Sequence, residues 1–233
     1  MLIERKDIMT KDKYVPQIES KLRGRMVKVP ESIYECSGIT ILGKRIKSLL
    51  FSTDVSIISN CNANSVIAVY PFTPQLSITH AILDVASVPV FVGVGGGQTT
   101  GPRSVNLALQ SELLGAHGVV VNAPMPNENI RAIADVIDIP IIASVGAFHD
   151  DFEGKIAAGT SIFNVTGGAR TAELVRYIRE IVGPEFPLIA TGGDNDDQIR
   201  ETIRAGANAI TYTPPTTGEI FKAVMVEYRK KKD

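Results

Sequence analysis

From residue 48 onward, short apolar runs alternate with longer stretches of mixed polarity. The runs cover 48–54, 65–70, 88–93, 118–122, 140–144, 161–166, 187–191 and 207–211, and they start about 23 residues apart. Inside them the apolar residues are continuous, as in Val119-Val120-Val121 and Ile139-Pro140-Ile141-Ile142. A strand covered on both faces has this pattern, which points to a parallel sheet beneath helices. The stretches between carry helix signals. Thr73-Pro74 sets a capping hydroxyl before a proline at the first helical position. Asn127 precedes Ile130, Ile133 and Ile137. Thr171 precedes Leu174, Val175, Ile178 and Val182, with Gly183 as the stop. Thr216 and Glu219 have capping-box spacing ahead of Ile220, Val224 and Tyr228. That helix runs into Arg229-Lys230-Lys231-Lys232, a basic end that complements its dipole.

Eight strand-then-helix units predict an α/β fold, a single (β/α)8 barrel over residues 48–233. The first unit leaves only residues 55–64 for its helix, which must be short. Residues 1–47 stand outside the repeat as an amino-terminal extension. Within it, 39–42 and 45–50 around Gly43-Lys44 are expected to form a hairpin.

Composition narrows the function. Lys plus Arg number 24 and Asp plus Glu 25, a net charge of −1, which argues against a protein that coats nucleic acid. The extension is net +5, but its lysines are scattered and no aromatic ladder interleaves them. Cys36 and Cys61 are too few for a disulfide framework or a four-cysteine zinc site. The first residues are charged throughout and no apolar run approaches the ~20 residues of a membrane helix, so a cytoplasmic protein without membrane partners is expected.

A barrel gathers its chemistry where the strands end at their carboxyl side. The expected strand exits are rich in functional groups: Asp54, Gly95 and Gly96, Asn122, His149, Asn164 followed by Gly167 and Gly168, and Thr191 followed by Gly192 and Gly193. Asp54 is the candidate general acid or base, with a pKa raised by partial burial, and His149 is the other candidate acid/base. The competing role for Asp54 is a cap on the first helix. Asn122 and Asn164 end alternate strands and are candidate amides for a sugar or carbonyl, or else buried amides bonded to backbone. Gly95 and Gly96 are candidate ligand-facing backbone. They do not form a dinucleotide fingerprint, because Gln98 stands where the third glycine belongs. No predicted strand holds a lysine for a Schiff base, and three histidines without a His-x-His pair give no amidohydrolase-type metal cluster. Cys61 has only His149 as a candidate base, half a barrel away.

The run Leu188-Ile189-Ala190-Thr191-Gly192-Gly193, followed by the turn Ala205-Gly206-Ala207 into the last strand, resembles the phosphate-binding barrels of the ribulose-phosphate-binding type. Phosphoribosylanthranilate isomerase, thiamin-phosphate synthase and N-acetylmannosamine-6-phosphate epimerase are examples. The resemblance implies a small phosphorylated ligand held by Gly192 and Gly193 at a helix amino-terminus. Thr166-Gly167-Gly168 repeats Thr191-Gly192-Gly193 one unit earlier, so Thr191, Gly167 and Gly168 are further phosphate candidates, unless the echo records only the turn that the unit requires. The last strand departs from that type: Thr213-Pro214-Pro215-Thr216-Thr217-Gly218 stands in place of a Gly-Ser-like element, so Thr216 and Thr217 would have to substitute. The chain also resembles bacterial barrels often labelled hydrolases, although no hydrolase machinery is visible. The expected activity is an isomerase, epimerase or lyase working without cofactor or metal, in a chain able to form a homo-oligomer. The alternatives are a sensing barrel similar to the glycerol-uptake antiterminator regulators and, third, a flavin-mononucleotide barrel.

Overall fold

The computed structural model describes residues 14, 16–18, 20, 21, 24 and 26–230. The charged start of the chain and Lys231 and Lys232 of the basic run lie outside the described residues.

A hairpin, β1 (Ile39–Ile41) and β2 (Lys44–Ile46), leads directly into a closed barrel. The barrel strands are β3 (Ser48–Phe51), β4 (Ser65–Ala68), β5 (Val90–Gly95), β6 (Gly118–Val121), β7 (Ile141–Val145), β8 (Ile162–Val165), β9 (Leu188–Thr191) and β10 (Ala209–Tyr212). All pair in parallel in chain order, and β10 closes on β3 through Thr211 opposite Leu49. The helices are α1 (Val55–Ile58), α2 (Leu76–Val85), α3 (Pro102–Leu113), α4 (Asn127–Ala134), α5 (Phe152–Ala157), α6 (Thr171–Val182), α7 (Asp196–Arg204) and α8 (Thr217–Lys230).

The expected strands are all present, with one shift: β5 runs on to Gly95 because a bulge between Gly93 and Gly95 adds a residue to its edge. Two helix starts also differ. α2 begins at Leu76 rather than Pro74, because the Tyr70 hydroxyl accepts the Gln75 N–H and holds the preceding loop out of the helix. Asn127 is already helical, and its side-chain amide donates to Asp151 Oδ2 at 2.7 Å instead of capping. The Thr216–Glu219 capping box forms as expected, with the Thr216 N–H on Glu219 Oε2 and the Glu219 N–H on Thr216 Oγ1.

Strand side chains alternate between two cores. Leu49, Ile67, Phe91, Val120, Ile142, Ile162, Ile189 and Ala209 point into the barrel, and their neighbours pack outward against the helices. Ile39, Ile41 and Ile46 of the hairpin join the inner cluster and stopper the barrel at the amino-terminal ends of its strands. Leu42 at φ 45° and Gly43 at φ 77° make its two-residue turn, the hand that suits twisted strands. Upstream, residues 26–36 wrap the outside of the barrel. Val27 bridges to Cys61 after α1, and Ile33 is fully buried. Ser32 and Glu35 bind Asp196 and Arg200 of α7. This segment fills the gap between α7 and α1, and α8 is left with no fully buried residue. Among the described residues no helix is long and apolar enough to cross a membrane.

Candidate ligand site at the barrel mouth

Two residues beyond the inner apolar layer, the inward positions change character. On β3, β4 and β5 they are Phe51, Val69 and Gly93. From β6 round to β10 they are Asn122, Ser144, Asn164, Thr191 and Thr211. The mouth therefore carries a polar arc over five consecutive strands. Asn164 is 6% exposed and Thr211 8%. Asn164 Nδ2 donates to Ser144 Oγ at 3.4 Å, but Asn164 Oδ1 and Thr211 Oγ1 have no hydrogen-bond partner. A buried polar atom without a partner is uncommon and costs about 1–3 kcal/mol. Among the described residues neither the Asn122 nor the Asn164 side chain makes a hydrogen bond to backbone.

Three clefts open onto the arc. One of about 220 Å³ lies between the β4 and β5 exits and is lined by Tyr70, Gly95, Gly96, Thr99 and Asn122. A second, of about 590 Å³, shares Val69, Tyr70 and Asn122 with it and reaches Asp54 and the Thr213-Pro214-Pro215-Thr216 loop. The third, about 880 Å³, lies at the β9 and β10 exits over Thr191, Thr211 and Gly193, with Asp194, Asp196 and Glu219 on its walls. Among the described residues they are lined together by four carboxylates and by no lysine, arginine or histidine.

Asp54 sits at this mouth as the cap of α1. Its Oδ1 accepts the N–H groups of Ser56 and Ile57 and the Ser56 hydroxyl, and its Oδ2 accepts the Thr217 hydroxyl. The Ser56 and Thr217 hydroxyls hold its pKa below the usual aspartate range. The expected upward shift is corrected: hydrogen bonds to the carboxylate outweigh desolvation at the rim. His149 is exposed in the β7–α5 loop, lines none of the three clefts and makes no hydrogen bond to a described residue.

The glycine exits have local explanations. A Cβ on Gly95 would lie 2.4 Å from Ser104 Oγ and Thr99 O, and one on Gly96 would lie 2.6 Å from Asn122 Cβ, so this pair lets the loop close onto the strand that carries Asn122. A Cβ on Gly192 would lie 2.6 Å from Ile210 Cγ2, which is helix–sheet packing, and Gly193 takes φ +86°. Two of the donors beside them are already used. The Asp194 N–H goes to Gln198 Oε1, and the Gln198 N–H goes to the Asn195 cap. Thr216 is held by Glu219, and Thr217 by Asp54. After β8, Gly168–Arg170 forms a 3-10 turn whose Gly168 carbonyl accepts the Thr171 hydroxyl. The Thr166-Gly167-Gly168 echo of Thr191-Gly192-Gly193 therefore does not extend to loop shape.

Ser144 and Thr211 escaped the sequence reading, as did Lys155. For the first two a signal existed: Ile142-x-Ser144, Ile162-x-Asn164, Ile189-x-Thr191 and Ala209-x-Thr211 place a polar residue two after an inward apolar one on four successive strands. Lys155 on α5 is 5% exposed, and its Nζ donates to the carbonyls of Ala123 at 3.4 Å and Met125 at 3.3 Å, steadying the loop that follows Asn122. Burial lowers its pKa, opposed by Asp150 and Asp151. Burial also raises the pKa of Cys36 and Cys61, so neither is poised as a thiolate. Among the described residues no three His, Cys, Asp or Glu side chains meet as a metal site.

The class of protein is that of the (β/α)8 barrels, and the solved structures it resembles are enzymes of that fold. Phosphonopyruvate hydrolase, solved with oxalate and Mg++, is 11% identical over 82% of this chain and 82% of its own, with TM-score 0.60. The phosphoenolpyruvate phosphomutase of Streptomyces platensis subsp. rosaceus is 10% identical over 86% and 84%, with TM-score 0.58. The 4-hydroxy-tetrahydrodipicolinate synthase of Methylacidiphilum fumariolicum SolV is 14% identical over 71% and 67%, with TM-score 0.55. Identities this low show the fold alone. No protein-family model and no curated protein sequence matches the chain.

Proposed function

We propose that the chain is a barrel enzyme that binds a small polar metabolite in its mouth, of the isomerase, epimerase or lyase type. The observation that carries this reading is the pair of buried, unpartnered oxygens, Asn164 Oδ1 and Thr211 Oγ1, on the polar arc. A fold gains nothing from leaving such atoms empty, and a ligand hydroxyl or amine in the third cleft would satisfy the oxygen of Thr211, which lines it. Asn122, free of backbone bonds and shared by two clefts, orients the ligand from the opposite wall. Asp54 supplies a carboxylate at the edge of the same cleft, made a weak base by the Ser56 and Thr217 hydroxyls and strengthened where a ligand displaces the Thr217 hydroxyl.

The finer reading, a phosphorylated metabolite held at Gly192 and Gly193, draws support from neighbours named for phosphonopyruvate and phosphoenolpyruvate. The acidic lining of that corner weighs against it. A second reading, a non-catalytic sensor, is favoured by one observation: both Asp54 oxygens are engaged in capping and bridging.

Incubating the protein with a mixed metabolite pool in deuterated water, followed by proton NMR, tests the proposal. One component is expected to be converted or to exchange a carbon-bound proton, and Asn164→Leu should abolish this while remaining folded. A pool left unchanged by wild type, with a component that nevertheless raises the melting temperature, would mean a sensor.

A further inference from the structure

The electrostatics of the mouth carry the reading one step further, to the kind of ligand. Asp194 comes from the β9–α7 loop, Asp196 from the first turn of α7, where its carboxylate accepts the Ser32 hydroxyl, Glu219 from α8 and Asp54 from the β3 exit, so the carboxylates stand on separate walls around the polar arc. Among the described residues no basic side chain lines any of the three clefts. The Asp194 carboxylate makes no hydrogen bond to a described residue, and Glu219 stays ionised because the Thr216 N–H and hydroxyl hold its pKa down. Thr211, more than nine-tenths buried and with an unpartnered oxygen, lines the floor beneath Asp194, Asp196 and Glu219. The described side chains of the ring and the floor thus offer acceptors and negative charge, and a phosphate or carboxylate ligand would find as donors only the backbone N–H groups that open α7.

We infer that the mouth takes an organic cation, a ligand bearing a primary ammonium group. Its N–H groups would be directed to Thr211 Oγ1 on the floor and to the Asp194 side of the wall. The inference rests on the mouth being the ligand site. It commits to an organic cation over a metal ion because the carboxylates do not converge.

Titration of the full chain with putrescine, butanediol, Mg2+ and inorganic phosphate, followed by heteronuclear NMR, decides it. The signals to follow are the side-chain amides of Asn122 and Asn164 and the methyls of Thr191 and Thr211. Putrescine is expected to move them, less so as salt is added, and butanediol at the same concentration is not. Asp194→Asn should weaken putrescine by about three- to five-fold, the scale of one partly solvated charge pair. This carboxylate holds no other group in place, and a melting curve checks that the variant is folded. An equal response to butanediol, a response to phosphate or to Mg2+ alone, or putrescine affinity unaltered by Asp194→Asn overturns the ammonium inference. Movement of these signals with phosphate or butanediol overturns the ammonium inference while leaving the mouth as the ligand site. Silence with all four probes overturns both readings.

Discussion

Thr211→Val is the sharpest perturbation of the mouth. Valine keeps the β-branched shape on β10 and removes only the hydroxyl, whose oxygen is buried without a partner. Leaving such a group unsatisfied costs about 1–3 kcal/mol, so the variant should be more stable than wild type, by about 1–2 kcal/mol once imperfect packing is allowed for. In a chain of this size that raises the melting temperature by roughly 2–8 °C. Thr160→Val is the matched control. Its hydroxyl is likewise buried and unpartnered, but it precedes β8 at the stoppered end of the barrel. Urea unfolding should show both midpoints rising with an unchanged slope. Only Thr211→Val should also weaken binding at the mouth. A loss of stability in Thr211→Val would refute the reasoning, because it would mean that a bound water or other partner already satisfies the oxygen.

Three further outcomes are expected. Asp54→Ala removes the α1 cap and the bridge to Thr217 and should cost about 1–2 kcal/mol by urea unfolding. Because the folded pKa of Asp54 is depressed, its contribution is present above the ordinary aspartate pKa and lost as pH falls through the lower folded value, so the gap between wild type and Asp54→Ala should close in acid. Lys155→Met strips the donor from two loop carbonyls and should cost about 1–3 kcal/mol, with faster hydrogen exchange at Ala123 and Met125 as the local readout. Gly96→Ala places a methyl against Asn122 at φ +123° and should lower the melting temperature and shift the Asn122 amide signal; an unshifted signal would separate the glycine loop from the site.

The barrel was legible because its signals are local and repeated eight times. Continuous apolar strands, the Thr216–Glu219 box and the Gly183 stop each state a backbone conformation within a few residues. Helix starts were less legible where tertiary contacts override them, as when the Tyr70 hydroxyl claims the Gln75 N–H. Asn122, Asn164 and Thr191 could be read as strand-end polar residues. What each does at the mouth depends on neighbours from other strands, some twenty residues or more away, which no spacing reveals. The phosphate expectation at Gly192 and Gly193 turned on charge: the glycine pair is visible in the sequence, but the packing of Ile210 against Gly192 and the gathering of Asp194, Asp196 and Glu219 around one cleft exist only in the fold. Ser144 and Thr211 were legible in principle, had the alternation within β7 to β10 been followed two residues past the apolar layer.

The isoleucine hairpin has a consequence for traffic. With Ile39, Ile41 and Ile46 seated under the inner layer, the barrel is a vessel with a single opening. Whatever enters at the mouth must displace water back through the same port and leave by it. On the enzyme reading, a product slow to depart would therefore stand in the path of the next substrate. Widening the far end, by shortening Ile46 for example, would weaken the inner core without opening a second route, because Leu49, Phe91 and Ile189 still close the lumen above it.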